Sequence, residues 1–209
     1  GTFSFTNAAP LTIGTVDNLV GVTATSGTVN LRADSLNILD PIAANTVTLA
    51  PRLAGTAIDL GSDVGFGLTD AELDKVSAST LNIGSSTTNP SGPITVSAPV
   101  DRAFGNLNLI TAAGSSIAVN AALGSASTGA ISMNAGAGGS VNVAAPVVSS
   151  SNVSVTADTI NTSQPITSSF GGVFLSNVGT NGSVNVGGAI AAQSSINITG
   201  KTIAVNAPL

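Results

Sequence analysis

The chain has 209 residues, of which 43% are hydrophobic, 3% aromatic and 7% charged, and its net charge is −5. It contains no Cys and no His, which excludes a disulfide framework and thiol chemistry and removes the commonest general base and metal ligand. The five basic residues are scattered, so we expect no nucleic-acid binding. No apolar run reaches the roughly 20 residues of a membrane-spanning helix, and we expect no membrane span.

A 14-residue pattern recurs without gaps at 29–42, 153–166 and 196–209. It reads apolar-x-apolar, a four-residue turn, apolar-x-apolar (with Thr162 as one exception), two small or polar residues, Pro and an apolar residue. Its second half recurs with endings at Pro99-Val100, Ala122-Leu123, Pro146-Val147 and Ala189-Ile190. Self-similarity of this kind is typical of a solenoid.

The spacing of the apolar residues predicts short strands, because alternate side chains of a strand face opposite sides. Each repeat carries two such strands and a shorter third one after the Pro position, with successive coils beginning near residues 107, 131, 153, 173 and 196. The sequence therefore predicts an all-β fold, a right-handed parallel β-helix (solenoid) of roughly nine coils. We expect 1–209 to be one segment of a longer repeat array.

Asparagine occupies the middle position of many apolar-x-apolar strands. Alternation places these amides outside, where neighbouring coils can join them in ladders. We interpret this surface as a solvated β-sheet face with lateral hydrogen bonds, and a polar ligand-binding face is the alternative. The seven residues are Asn30, Asn37, Asn82, Asn108, Asn142, Asn185 and Asn197.

Residues 52–80 depart from the pattern and separate regular coils at 1–51 from regular coils at 81–209. We interpret Gly61 to Gly67 as a loop. Thr69 and Glu72 have the spacing of a capping box, in which the Glu side chain returns to the backbone N–H of the capping residue. The sequence therefore predicts one short helix inserted near 70–76.

Half of the ten acidic residues lie in this departure, and calcium prefers such oxygen ligands. Their spacing matches no calcium loop, and helix caps and solvated helix faces use acids routinely. We predict no metal, no cofactor and no catalytic residue in the chain, and leave open whether the 59–74 region binds a cation. The acids are Asp59, Asp63, Asp70, Glu72 and Asp74.

A polysaccharide-active β-helix enzyme needs paired carboxylates, or basic residues with acidic metal ligands, on one face. The basic residues are far apart in sequence, and Asp34 and Asp158 occupy equivalent turn positions. We expect Asp101-Arg102 to form a solvated corner. The sequence thus favours a protein that is not an enzyme. The bases are Arg32, Arg52, Lys75, Arg102 and Lys201.

The repeats, the 58–61 stretch Ile-Asp-Leu-Gly, the 67–76 stretch Gly-Leu-Thr-Asp-Ala-Glu-Leu-Asp-Lys-Val and the 81–84 stretch Leu-Asn-Ile-Gly resemble filamentous-haemagglutinin-like large exoproteins of Gram-negative bacteria. The resemblance implies a right-handed parallel β-helix and export as a two-partner-secretion or autotransporter-type passenger. It also implies a place at the cell surface, outside the outer membrane, with a role in adhesion, aggregation or biofilm.

Two non-enzymatic functions follow as expectations. One is a structural shaft in a secreted or cell-surface adhesin, with the coils of the same polypeptide, an outer-membrane transporter and a host or matrix receptor as partners. The other is a subunit of a self-assembling filament, in which copies stack end to end, because an uncapped β-helix exposes strand edges. A polysaccharide-active enzyme is the less favoured alternative.

Overall fold

The computed structural model describes residues 1–103, 105–180 and 182–209. Strands dominate it, and the described residues contain one helix, α1 (Asp70–Leu73). The strands are β1 (Thr2–Thr6), β2 (Pro10–Ile13), β3 (Thr15–Val16), β4 (Leu19–Val20), β5 (Val22–Ala33), β6 (Ser35–Ile38), β7 (Ile42–Pro51), β8 (Ile58–Leu60), β9 (Phe66–Leu68), β10 (Val76–Gly84), β11 (Ile94–Val96), β12 (Asn106–Ile110), β13 (Ser116–Val119), β14 (Ile131–Val143), β15 (Val147–Ser149), β16 (Val153–Thr162), β17 (Ile166–Ser168), β18 (Val173–Asn177), β19 (Ser183–Val186), β20 (Ile190–Ala192), β21 (Ile196–Thr199) and β22 (Thr202–Val205).

The strands stack as a parallel β-solenoid of about nine turns, which confirms the predicted architecture. Among the described residues, the β3–β4 hairpin is the one antiparallel pair. Its exposed turn holds Asp17 and Asn18 with φ of 49° and 64°, a left-handed conformation that short polar residues tolerate.

One face, here called face A, runs through the whole solenoid as a column of two inward residues per coil. The register joins Leu107 to Ile131, then to Val153, Val173 and Ile196, which confirms the predicted starts of those coils. Between the two end coils, the column excludes water because each inward side chain is covered by its equivalents above and below. The inward pairs are Phe3/Phe5, Val29/Leu31, Val47/Leu49, Leu81/Ile83, Leu107/Leu109, Ile131/Met133, Val153/Val155, Val173/Leu175 and Ile196/Ile198.

A second face, face B, follows the turn after face A and stacks β11, β13, the second half of β14, the second half of β16, β19 and β22. The residues after the Pro or Ala position form the third side. Val100, Leu123 and Val147 bridge one another there, and β15, β17 and β20 continue the stack. Each regular coil is therefore a triangle, as the repeats predict.

The interpretation of 61–67 as a loop is wrong in part, because Phe66–Leu68 forms strand β9. Phe66 pairs in parallel with Ile58, and Leu68 with Leu60. Strand β9 lies between β8 and the preceding coil's β6. Face B thus contains one additional strand, β9, that has no counterpart on face A. Gly67 sits where a Cβ would lie 2.3 Å from the Ser62 carbonyl oxygen, so only glycine fits that close approach.

Helix α1 is shorter than the predicted 70–76 segment and ends at Leu73. The reason is packing: Val76 already belongs to β10, where it pairs with Ile42 of the coil beneath. Leu73 and Val76 are both buried and join the interior column. The helix is thus a single turn that returns the chain from the extra rung to the regular coils.

Candidate functional site

The extra rung and α1 interrupt the backbone ladder, and side chains complete the hydrogen bonding at this junction. Glu72 illustrates the arrangement: one carboxylate oxygen accepts the Thr69 N–H at 2.9 Å and the Thr69 hydroxyl at 2.8 Å. Its other oxygen accepts the Ile38 N–H at 3.0 Å. The predicted return of Glu72 to the capping residue is confirmed, and the same carboxylate also holds the end of β6.

Lys75 completes the other half of this contact. Its Nζ donates to the Ile38 carbonyl at 2.9 Å, so both backbone groups of Ile38 bond to side chains of the insert. A buried backbone group without a partner would cost about 1–3 kcal/mol. Glu72 and Lys75 therefore supply the hydrogen bonds to Ile38 that a neighbouring strand supplies elsewhere.

The corner Asp101-Arg102 differs from its prediction. Arg102 is 2% exposed rather than solvated, and its Nη2 donates to the Ala78 carbonyl at 2.7 Å. The Arg102 carbonyl in turn accepts the Thr128 hydroxyl at 2.6 Å. Burial lowers the pKa of Arg102, and the negative charge of Asp74 acts in the opposite direction. The guanidinium thus bonds to the backbone of the preceding coil.

Three acids meet beside α1, although the sequence did not group them. Asp70, Asp74 and Asp101 can bring carboxylate oxygens within 4.8 Å of one another, the spacing of a cation site, and two of the three residues are exposed. The Asp70 carboxylate already accepts the Asp101 N–H at 3.0 Å. Burial raises the pKa of Asp70, and the charges of Asp74 and Asp101 add to the rise. The contact between Asp70 and Asp101 belongs to the junction at α1. We assign no metal ion to the three acids.

The other acids of the insert lie elsewhere. Asp59 accepts the Ser62 hydroxyl at 2.9 Å within the loop that leads from β8 to β9. Asp63 is exposed. The acids that lie close together in the sequence at 59–74 therefore do not form a single cluster in the structure.

Several open clefts border this half of the solenoid, and two of them have an arginine in their lining. The larger, about 680 Å³, lies beside α1 and is lined by Asp74, Ser77, Ser79 and Arg102 among others. The smaller, about 360 Å³, lies on the outer side of face A and includes Arg32 and Thr48. The first has one carboxylate beside a guanidinium that is already bonded to backbone, which offers polar contacts but no nucleophile with a neighbouring base.

The basic and acidic turn residues are also brought together in a way the sequence did not indicate. Arg52 Nε lies 2.9 Å from Asp34 Oδ1 in an ion pair between adjacent coils, and both side chains are partly exposed. Asp158, at the equivalent repeat position, has no such partner in the described residues: its Oδ1 is buried without a hydrogen bond. Equivalent positions in the repeat therefore differ in their chemistry.

The predicted asparagine ladders exist in part. Asn108 donates to Asn82 at 2.8 Å, and Asn82 donates to Thr48 at 3.2 Å, which links three consecutive coils on face A. On face B, Asn185 donates to Asn161 at 2.8 Å. Asn161 was missed because its strand ends in Thr162 instead of an apolar residue. These bonds support a solvated, laterally bonded surface.

Both ends of the solenoid leave interior side chains uncovered. Phe3 and Phe5 are each 43% exposed, whereas Leu31, which covers Phe5 from the next coil, is 1% exposed. At the other end Ile203 and Val205 are 44% and 40% exposed. Face A at the β1 end and face B at the β22 end are therefore partly uncovered.

Comparisons with family models, with curated proteins and with solved structures found no match for this chain. Within the described ranges, α1 is a single turn, and no helix has the length and apolar character needed to cross a membrane.

Proposed function

We propose that this chain is a structural shaft segment of a secreted, cell-surface adhesin-like exoprotein of a Gram-negative bacterium, acting in adhesion, aggregation or biofilm. The observation that supports this proposal best is the apolar column that continues through every coil of face A. Such a column keeps successive coils in register along one axis, and Asp70, Glu72, Lys75 and Arg102 at the α1 junction bond to backbone groups.

The surface chemistry agrees with this role. Outward positions on face A carry hydroxyls and amides, several of which bond along the axis. Neutral polar faces remain hydrated without the large charge fields that would drive non-specific binding. Secretion by an outer-membrane transporter and contact with a host or matrix receptor complete the proposal, and both rest on the family resemblance.

Binding of the purified chain to epithelial cells, matrix proteins and glycans tests the adhesive part, beside a screen for polysaccharide cleavage. We expect surface binding without cleavage. Cleavage that is abolished by Asp101→Asn or Arg102→Lys, in variants that unfold at the temperature of the parent, would contradict the shaft function.

A subunit of a self-assembling filament is a second candidate, favoured by the two open ends. Stacking would place Phe3 and Phe5 of one copy against Ile196 and Ile198 of another, continuing face A. Such a head-to-tail contact does not close and grows into a fibre. Light scattering and electron microscopy at rising protein concentration distinguish the candidates: fibres that Phe5→Lys abolishes support the filament, and monomers throughout support the shaft.

A further inference from the structure

The smaller cleft on the outer side of face A is a recess lined by six polar residues and Phe5. Its floor consists of outward residues on three consecutive strands, β1, β5 and β7. Thr88, in the loop after β10, overhangs this floor as a wall. The polar side chains that line the roughly 360 Å³ recess are Ser4, Thr6, Asn30, Arg32, Thr48 and Thr88.

The wall is held in place by hydrogen bonds at its base. Asn89 Nδ2 donates to the Arg52 carbonyl at 2.6 Å, and the Pro90 carbonyl accepts the Gly55 N–H at 2.8 Å. The Ser91 hydroxyl accepts the Ser85 N–H at 3.0 Å, which closes the loop on itself. A wall fixed before binding lowers the ordering cost that a ligand must offset.

Arg32 supplies the only charge in the lining of this cleft. Its Nη1 donates to the Pro51 carbonyl at 3.2 Å, and within the described ranges this is its one hydrogen bond, although a guanidinium carries five N–H donors. Asp34, the acid two positions along the same coil, is occupied by Arg52. Partial burial lowers the pKa of Arg32, because desolvation disfavours an uncompensated cation.

Apart from Phe5, the remaining lining side chains are neutral donors and acceptors. Asn30 Nδ2 donates to the Ser4 hydroxyl at 3.2 Å, which leaves the Asn30 side-chain carbonyl as an acceptor at the floor. Thr6 and Thr88 add hydroxyls on either side. Hydroxyl and amide groups at several positions suit a ligand with many hydroxyls, and the planar guanidinium suits a planar carboxylate.

We propose that this cleft binds a uronic-acid residue of an acidic polysaccharide, with the sugar carboxylate on Arg32 and the ring hydroxyls on Ser4, Asn30 and the flanking threonines. The inference rests on the proposed adhesive function and names the ligand class for it. It requires no reaction, only an ion pair and hydrogen bonds in a recess that contains no acid to repel the ligand.

Calorimetric titration of the 1–209 chain with an oligogalacturonate, and with a neutral oligogalactan of equal length, tests the proposal. We expect binding of the acidic oligomer alone, weakening as salt rises because exposed charges are screened. Arg32→Gln removes a charge-assisted bidentate contact and weakens binding about tenfold or more. The matched control Lys201→Gln removes the same charge outside the cleft and leaves binding within about twofold, since a distant charge is largely screened.

Thr88→Asp provides a second variant. Thr88 is exposed on the wall of the cleft, so we expect this substitution to leave the fold intact. It places a carboxylate against the ligand and should weaken binding, whereas Thr87→Asp, outside the lining, should weaken it less. Equal binding of the neutral oligomer, an equal loss in Lys201→Gln, or equally tight binding of a peptide through its terminal carboxylate would overturn the proposal. If the chain adheres to cells but ignores oligogalacturonate, this inference fails while the adhesive function stands. Failure of both assays removes both.

Discussion

The regular coils from 106 onward and the junction around α1 both satisfy their backbone hydrogen-bonding groups, but they do so by different means. In the regular coils, strand backbones pair with those above and below, and the interior is aliphatic. At the junction, β9 and α1 interrupt that pairing, and Glu72, Lys75 and Arg102 donate or accept in its place. The comparison teaches that the charged side chains at the junction supply hydrogen bonds that strand pairing supplies in the regular coils.

The two regions therefore differ in what a substitution removes. A change in a regular coil removes packing from a column, or an outward contact that water can replace. A change at the junction removes a side-chain partner of a backbone group that strand pairing does not satisfy in the described residues. The predictions below separate these cases by the size of the loss in unfolding free energy.

The largest loss is expected for Leu109→Ala in the regular column. Leu109 is fully buried between Ile83 and Met133. Truncation of a buried Leu costs about 2–5 kcal/mol because a cavity remains. Denaturant unfolding measures it, with the adjacent outward change Asn108→Ala as the control, for which we expect a loss of about 1 kcal/mol or less. Equal losses for the two variants would contradict an inward column at this position.

Glu72→Ala tests the junction. It removes the acceptor of the Ile38 N–H and of the Thr69 N–H, so we expect a loss of about 1–3 kcal/mol. Asp63→Ala removes an exposed acid from the same insert and is the charge-matched control, with almost no loss expected. Hydrogen exchange at the Ile38 amide gives a local readout: faster exchange in Glu72→Ala supports the contact, and unchanged exchange refutes it.

A smaller effect is expected for the ion pair of Asp34 and Arg52. Both side chains are partly exposed, at 37% and 28%, so water screens their attraction. A double-mutant cycle with Asp34→Ala and Arg52→Ala should give a coupling energy of about 0.2–1 kcal/mol that falls with salt. A coupling that salt does not change would show that the pair is shielded more than its exposure indicates.

The smallest effect concerns Asp70 and pH. The pKa of Asp70 is raised in the folded state, mainly by burial, so the folded state binds its proton more readily than the unfolded state. The ionised form therefore costs stability at neutral pH, and that cost disappears as pH falls through the raised pKa. Asp70→Asn keeps an oxygen for the Asp101 N–H and removes this dependence. The stability of wild type relative to Asp70→Asn should rise on acidification, and a fall would contradict the raised pKa.

Sequence reasoning identified the repeats because the regular coils keep apolar residues at a spacing that only stacked strands explain. It missed β9 because Phe66 and Leu68, although spaced as a strand, lie among Gly61, Gly65 and Gly67, which resemble a loop. The alternation of Phe66 and Leu68 alone would have indicated a strand, although the neighbouring glycines favour a loop. Gly67 is required because a Cβ there would lie 2.3 Å from the Ser62 carbonyl oxygen, whereas Gly65 has open space around it and a φ of 67°, which glycine adopts without strain.

The burial of Arg102 was not predictable for a different reason. Its partner is the Ala78 carbonyl of the preceding coil, and a backbone acceptor has no signature in the sequence. The same holds for Ile38, whose two backbone groups bond to Glu72 and Lys75. Arg32 could be singled out only after the loop that carries Thr88 was placed over face A.

The central claim, a shaft whose coils advance in register, is tested most directly by one distance. The chain has no Cys, so Asn30→Cys and Asn197→Cys give two specific spin labels on outward positions of face A. Seven rung steps separate them in the register, and at about 4.8 Å per step this is about 34 Å. A narrow distribution near that value in a pulsed dipolar measurement agrees with the account. A broad distribution, or one centred far from about 34 Å, would contradict it.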